Sequence, residues 1–459
     1  MQKVFDEVNS LDKRCYEKFD LTEDILMENA SISMMNYIDL NCKTKDTILI
    51  VCGAGNNGAD GIVLARLLYQ KYKVSLYIPF GVKSEIAKIQ LQRAKKVGVK
   101  TSTKITKADV VVDCLFGSGL NRDLNEKSIS IIEKMNQINA HKIACDIPSG
   151  INTLGQITTK AFYSNTTITM GALKKSLFTD ASKEYVGNIR VSNLGIQRKS
   201  YETKSNTYLL DKKDLKLPLR DNKISNKGTY GHLSVVIGEK EGAGLLCAQS
   251  GFSFGCGLIS VIVDVLKKLP NSIMQNKKLP LNTTAVCIGM GLGQKYSKSL
   301  LLNDIPKVID ADLFYDVNIL ESLKQKDLIL TPHPKEFCSL LKITKIANIS
   351  VKELQNNRFK YVNLFCKKYK NVVLLLKGTN VLIGRGKKIF INRFGTAVLS
   401  KGGSGDVLCG LIGSLLAQGY SPLDAAINGS LAHTLSSSNY SGNNYSMTPE
   451  DLIEEIKKL

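Results

Sequence analysis

Three segments in the first half of the chain end a β-branched run with acids or amides beside glycine. They read ILIVCGAGNNGADG from Ile48 to Gly61, VDCLFGSG from Val112 to Gly119 and CDIPSG from Cys145 to Gly150. The first contains GxGxxG (Gly53, Gly55, Gly58) between a strand and a helix, the setting of a dinucleotide fingerprint. Two details oppose that reading. Asp60, at the helix start, would compete with a pyrophosphate for the positive helix end. The second strand ends Tyr77-Ile78-Pro79-Phe80 and offers no acid to a ribose hydroxyl. Paired amides at Asn56 and Asn57 with Asp60 suit a site that hydrogen-bonds a substrate and can take a cation through oxygen. A tight turn that needs glycine only for positive φ would leave these three residues unexplained. Asp113 and Asp146 stand at two further strand ends. A single aspartate there is more often a helix cap, but three such turns in one register can converge on one crevice at the carboxyl edge of a sheet.

The second half carries KGGSGDVLCG, Lys401 to Gly410, which opens an apolar helix. Glycines and serine at a helix N-terminus expose N–H donors to a phosphate, and Asp406 is placed to take a hydroxyl proton, as phosphoryl transfer to an alcohol requires. A helix-capping aspartate is the plainer alternative. GxxxxGK[ST] does not occur, which excludes a P-loop enzyme. Leu376-Lys-Gly-Thr-Asn-Val381 ends a buried strand and enters a hairpin, a wall for adenine and ribose. Thr331-Pro-His333-Pro-Lys-Glu336 is a rigid polar turn. A lone histidine is usually structural, but flanking prolines favour one that faces a ligand.

Short apolar runs that alternate with helical-period stretches must position these residues, a pattern that predicts parallel strands with crossover helices. The runs are Thr47–Cys52, Val74–Ile78, Ala108–Cys114, His141–Asp146 and Thr166–Met170, with helical stretches at Ile62–Tyr72 and Ser84–Val97. A polar break spans Gln197–Asp221. The pattern restarts at His232–Ile237, Leu258–Val263, Ala285–Ile288, Val308–Asp310, Leu328–Leu330 and Val372–Leu376. Val381–Ile383 and Lys388–Ile391 then form a hairpin. With 459 residues two domains are expected, with the boundary near Ser205: 1–206 and 207–459. The fold class is α/β.

The net charge of +21 comes from dispersed lysines without an arginine-rich arm, so a solvated surface is expected rather than nucleic-acid binding. Eleven cysteines, none in a CxxC pair and most in apolar stretches, fit a reducing compartment, and no His/Cys spacing matches zinc. The chain starts without a signal-peptide pattern, and its longest apolar stretch, Val407–Ala417, is far short of a membrane span. A cytoplasmic enzyme without membrane contact is expected.

GAGNNGADG, DCLFGSG and DIPSG, with Leu26-Met-Glu-Asn-Ala30 and Gly171-Ala-Leu-Lys174, resemble the signature segments of the NAD(P)H-hydrate epimerases over residues 20–200 or so. The resemblance implies a Rossmann-like N-terminal domain. Asn56, Asn57, Gly58, Ala59, Asp60, Gly117, Ser118, Gly119, Leu120, Asn121, Arg122 and Asp123 would then line the site of the hydrated nicotinamide. Asn57, Asp113 and Ser149 would hold K⁺, and Asp146 would be the acid/base. Epimerisation needs ring opening, or loss and return of a proton or hydroxyl, and a buried carboxylate with a raised pKa suits that work. Ala59 replaces the family's usual glycine.

Residues 207 onward, through GGSGD, Lys227-Gly-Thr-Tyr-Gly231, Gly289-Met-Gly-Leu-Gly293 and Asp310-Ala-Asp312, resemble the NAD(P)H-hydrate dehydratases of the ribokinase-like fold. By position Ala243, Gly291, His333 and Asp406 would contact the hydrated dinucleotide. Lys377, Gly378, Thr379, Asn380, Val381 and Gly405 would contact ADP or ATP carried with Mg²⁺. Met290 replaces a usual proline, Lys335 a glycine and Lys401 a small hydroxyl residue. Together the resemblances imply repair of NADHX and NADPHX by a bifunctional isomerase and lyase, expected as a homo-oligomer. The rivals are a ribokinase-type small-molecule kinase fused to a binding domain and, for the N-terminal half, a scaffolding or RNA-associated module.

Overall fold

A computed structural model describes residues 1–264, 269–293 and 296–459. The chain divides into two compact units, Lys3–Ser205 and Asn206–Leu459 with Met1–Gln2.

The first unit is built on seven parallel strands: β1 (Thr47–Cys52), β2 (Lys73–Tyr77), β3 (Thr101–Ser102), β4 (Val110–Cys114), β5 (His141–Cys145), β6 (Thr166–Met170) and β7 (Asn188–Ser192). Their order in the sheet is β3-β2-β1-β4-β5-β6-β7. Every residue of β4 is buried, as a parallel strand covered on both faces should be. The helices are α1 (Asn9–Phe19), α2 (Glu23–Asn41), α3 (Asn56–Leu68), α4 (Glu85–Val97) and α5 (Glu126–Gln137). Helix α3 starts six residues earlier than its apolar period predicts, because the glycine turn flows straight into it with Gly55 as N-cap. Ser84 caps α4 and accepts from the Ala87 N–H, and Gly98 closes it in a left-handed conformation. Strand order reverses between β1 and β4, so the loops that follow these two strands flank the switch point.

The sheet of the second unit consists of β8 (Thr207–Leu209), β9 (His232–Val236), β10 (Leu258–Ile262), β11 (Met274–Asn276), β12 (Ala285–Ile288), β13 (Lys307–Ile309), β14 (Leu328–Leu330), β15 (Val373–Leu376), β16 (Val381–Arg385) and β17 (Lys388–Asn392). Their order is β11-β10-β9-β12-β13-β14-β15-β16-β17-β8. Pairing is parallel except in β15–β16 and β16–β17. The hairpin runs two residues beyond its expected end at Ile383, to an Arg385–Lys388 pair, and Gly386 turns it with φ 58°. Strand β8 falls inside the expected polar break and is held by parallel pairing to β17.

Five helices matter to the site: α6 (Glu241–Ser253), α7 (Pro334–Ile343), α8 (Arg358–Lys368), α9 (Ser404–Ala417) and α10 (Pro422–Asn439). From Val407 to Ala417 every residue of α9 is buried, so the apolar stretch that follows GGSGD is a core helix. The switch point lies between β9 and β12.

Candidate active sites

In the first unit the loop after β1 crosses the loop after β4 closely. A Cβ on Gly53 would lie 1.9 Å from the Leu115 carbonyl oxygen, so only glycine fits there. Gly58 packs back on the same turn, where a Cβ would stand 2.0 Å from Gly53 O. The crossing frames a cavity of about 630 Å³ lined by Asn56, Asn57, Asp60, Gly117 to Arg122 and Asp146, with Asp12 of α1 and Lys83. The structure thus brings together most of the residues expected here. Gly58 and Ala59 are instead buried inside α3, and Asp123 is exposed beside the loop.

Gly117 is the point of closest approach. A Cβ there would be 3.0 Å from Asn57 Oδ1 and 3.2 Å from Asp146 Oδ2, so its bare backbone lets amide and carboxylate share one wall. Asp146 adopts φ 68° and turns its carboxylate into a set of donors. Oδ1 accepts from Lys174 Nζ at 2.5 Å, the Met170 N–H at 3.1 Å and Thr169 Oγ1 at 3.3 Å, and Oδ2 accepts from the Ser118 N–H at 3.0 Å. Burial pushes this carboxyl up, but the Lys174 ammonium and the donors outweigh it and hold Asp146 below the usual carboxylate range.

The raised carboxyls are elsewhere. Burial, with Asp146, Asp12 and Glu23 nearby, drives Asp60 well above the ordinary value, and burial takes Asp12 to about 6 despite Lys174. The raised pKa expected of the acid/base therefore belongs to neighbours of Asp146. Asp12 has no signal in the sequence, and the segment Gly171–Lys174 by itself gives Lys174 no role.

Asp113 and Ser149 meet behind the cavity wall. The Ser149 N–H and hydroxyl donate to the two oxygens of Asp113 at 2.7 Å each, and the hydroxyl accepts the N–H of the lining residue Phe116 at 2.8 Å. Burial lifts Asp113 to about 6 against these bonds. Asn57 faces Gly117, and the oxygens of the three residues are the hard donors that an alkali cation takes.

In the second unit charged side chains gather at the carboxyl ends of β13, β14 and β15 and at the start of α9. Lys377 donates to Asp310 Oδ1 at 2.8 Å and lies 4.0 Å from Glu336. A Cβ on Gly405 would be 3.4 Å from Lys377 Nζ, which puts the ammonium at the glycine turn rather than on the adenine wall expected of it. The two carboxylates draw it there. Gly403 caps α9 with φ 91°, and His433 Nε2 lies 2.9 Å from the Ser404 carbonyl, within hydrogen-bond reach.

Asp406, in the first turn of α9, is pushed up to about 7 by burial and by Asp310 and Glu336, against Lys377. His333 caps α7: its Nδ1 accepts the Lys335 and Glu336 N–H groups, Glu336 accepts the His333 N–H, and Nε2 lies 3.0 Å from Glu336 Oε1. Gly291 and Ala243 are neighbours, for a Cβ on Gly291 would lie 3.4 Å from that of Ala243. The loop Lys377–Asn380 is held from behind by Arg358 of α8, buried, whose guanidinium donates to the carbonyls of Leu376, Lys377 and Asn380. Sequence reasoning missed Arg358 and gave no role to Asp310 or Glu336.

Residues 23–176 match the model of the YjeF-related protein N-terminus, and 233–458 that of NAD(P)H-hydrate dehydratase. The bifunctional NAD(P)H-hydrate repair enzyme of Helicobacter pylori is 45% identical, with 100% of each chain covered. The chain belongs to the bifunctional NAD(P)H-hydrate repair enzymes. Another member of this repair family, from Coxiella burnetii, is 33% identical over 90% of each chain. The ADP/ATP-dependent NAD(P)H-hydrate dehydratase of Bacillus subtilis, crystallised with ATP and Mg²⁺, is 26% identical over 53% of this chain and 92% of that one, with a TM-score of 0.43. Within this repair enzyme all eleven cysteines are free, and no helix among the described residues is long and apolar enough to cross a membrane.

Proposed function

We propose that the first unit interconverts the R and S epimers of NADHX and NADPHX, and that the second dehydrates the S epimer with ADP or ATP. The full-length match to the repair family carries the reading, and the two sites support it at the level of residues.

In the epimerase, two carboxyls with opposed environments face one cavity. Asp146, kept ionised by Lys174, is the base, and Asp60, kept protonated by burial, is the acid, a pairing that divides the roles by pKa. Their proton exchange serves either ring opening or loss and return at the hydrated carbon. Asp113, Ser149 and Asn57 are the oxygen set proposed for K⁺, which when bound would supply a fixed positive charge next to the substrate. Asp113→Ala should make epimerisation slow and independent of potassium while S-epimer dehydration persists. A normal, potassium-dependent rate in that variant would remove the ion site.

In the dehydratase, the ring hydroxyl gives its proton to Asp406 as its oxygen attacks the terminal phosphorus of the nucleotide. Lys377 and the N–H groups at the start of α9 hold the transferring group, and Arg358 fixes the nucleotide loop. The ring nitrogen's electron pair then breaks the C–O bond and expels phosphate, and a proton leaves the adjacent carbon to restore the dihydronicotinamide. Mg²⁺, arriving with the nucleotide, would offset its phosphate charge. Chemically hydrated NADH incubated with the enzyme, Mg²⁺ and either nucleotide should regain absorbance at 340 nm. A stable phosphorylated hydrate without that gain would favour the simple kinase. The cytoplasmic setting, the homo-oligomer and the absence of a nucleic-acid partner belong to the same reading.

A further inference from the structure

Four sulfurs gather in the core of the second unit, one helical turn along α9 from Asp406. Cys247 comes from α6, Cys287 from β12, Cys409 from α9 and Met290 from the loop after β12, and all four are fully buried. The three cysteine sulfurs lie within 4.8 Å of one another. Cys409 Sγ is 3.4 Å from the Met290 thioether, to which its thiol donates. Two glycines of α9 make the room. A Cβ on Gly413 would lie 2.2 Å from Cys287 Sγ, and one on Gly410 would lie 2.1 Å from the Cys247 carbonyl.

We propose that Cys247, Cys287 and Cys409, with Met290 as fourth donor, form a buried binding site for monovalent copper. Three thiolates around one ion at ~2.3 Å stand about 4 Å apart, inside the spacing found here. The donor set is entirely soft, and thiolate and thioether ligands suit Cu(I), zinc and iron–sulfur clusters. Structural zinc takes four thiolates or imidazoles, and a thioether is not among its usual ligands. Binding displaces thiol protons to solvent, so affinity rises with pH. The bound ion would tie α6, β12 and α9 together three residues after Asp406.

The test gives Cu(I), delivered from its bicinchoninate complex without oxygen, to the reduced full-length protein. Wild type should take up an equivalent that Cys287→Ser and Cys409→Ala each lack and that Cys338→Ser keeps. X-ray absorption on the difference should show only sulfur around copper. The volume-conserving Met290→Leu should stay folded and bind about tenfold more weakly. It also serves if a cysteine variant does not fold. Equal copper uptake by wild type and folded Cys287→Ser would overturn the site, as would nitrogen or oxygen neighbours. Unchanged affinity in Met290→Leu would overturn the four-sulfur set.

Discussion

The Lys174 ammonium sits 2.5 Å from Asp146 Oδ1, and both side chains are almost wholly enclosed, at 2% and 9% exposure. The pair fixes the charge state of the carboxylate proposed as epimerase base. Removing the cation alone leaves a buried charge unmatched, which costs about 3–5 kcal/mol. Lys174→Met should lower the melting temperature of the first unit and nearly abolish conversion of the R epimer, with S-epimer dehydration retained. Calorimetry and a chiral assay of the hydrates check both. A variant that epimerises normally would show that Asp146 needs no counter-ion.

Asp406→Asn removes the proton acceptor and keeps the shape, so dehydration should fall by ~10²–10⁴-fold with nucleotide affinity unchanged. At pH 8 wild-type Asp406 is ionised against the effect of burial, and the neutral amide removes that penalty. The variant should therefore melt no lower than wild type at that pH. Near-normal release of NADH would assign the proton to another group.

Asp406 titrates at about 7. Only the ionised carboxylate accepts a proton, so dehydratase kcat/KM should rise with pH up to about 7 and level off above it. Asp310 and Glu336 raise this inflection and Lys377 lowers it. Lys377→Met should consequently move it to higher pH as well as reducing the rate. A pH profile that does not move would separate the inflection from Asp406.

Arg358→Met takes the donor from three backbone carbonyls at once. Each buried acceptor left unsatisfied costs ~1–3 kcal/mol, and the loop is expected to loosen in place of bearing the full sum. KM for ADP or ATP should rise more than kcat falls, since the guanidinium touches the loop and not the reacting atoms. Equal losses in both parameters would argue against a positioning role.

The strand-end acids were legible in the sequence because short continuous apolar runs give the buried parallel strand and the glycine after them gives the turn. This holds for Asp113, Asp146 and the Gly53–Asp60 segment. Lys174 and Arg358 were not legible, as their partners lie 28 and up to 22 residues away and come near only through sheet pairing. Strand β7, Asn-Ile-Arg-Val-Ser, is half polar because it edges the sheet, and β8 is three residues inside a charged stretch. Neither has a local pattern strong enough to announce it. Lys377 was placed correctly in chain order at a strand end, but only the fold reveals Asp310 and Glu336 as the charges that turn it toward the glycine loop.

The histidine cap on α7 has a consequence for recognition. With two N–H groups directed at Nδ1, His333 must carry its ring proton on Nε2, and a second proton on Nδ1 would set three donors against one another. The ring is thereby fixed in one tautomer and one rotamer before any ligand arrives. Ordering a mobile side chain at a binding surface costs about 0.5–1.5 kcal/mol, and here the helix has already met that cost. A ligand that docked on this imidazole would meet a fixed N–H donor and, 3.0 Å away, the fixed acceptor Oε1 of Glu336.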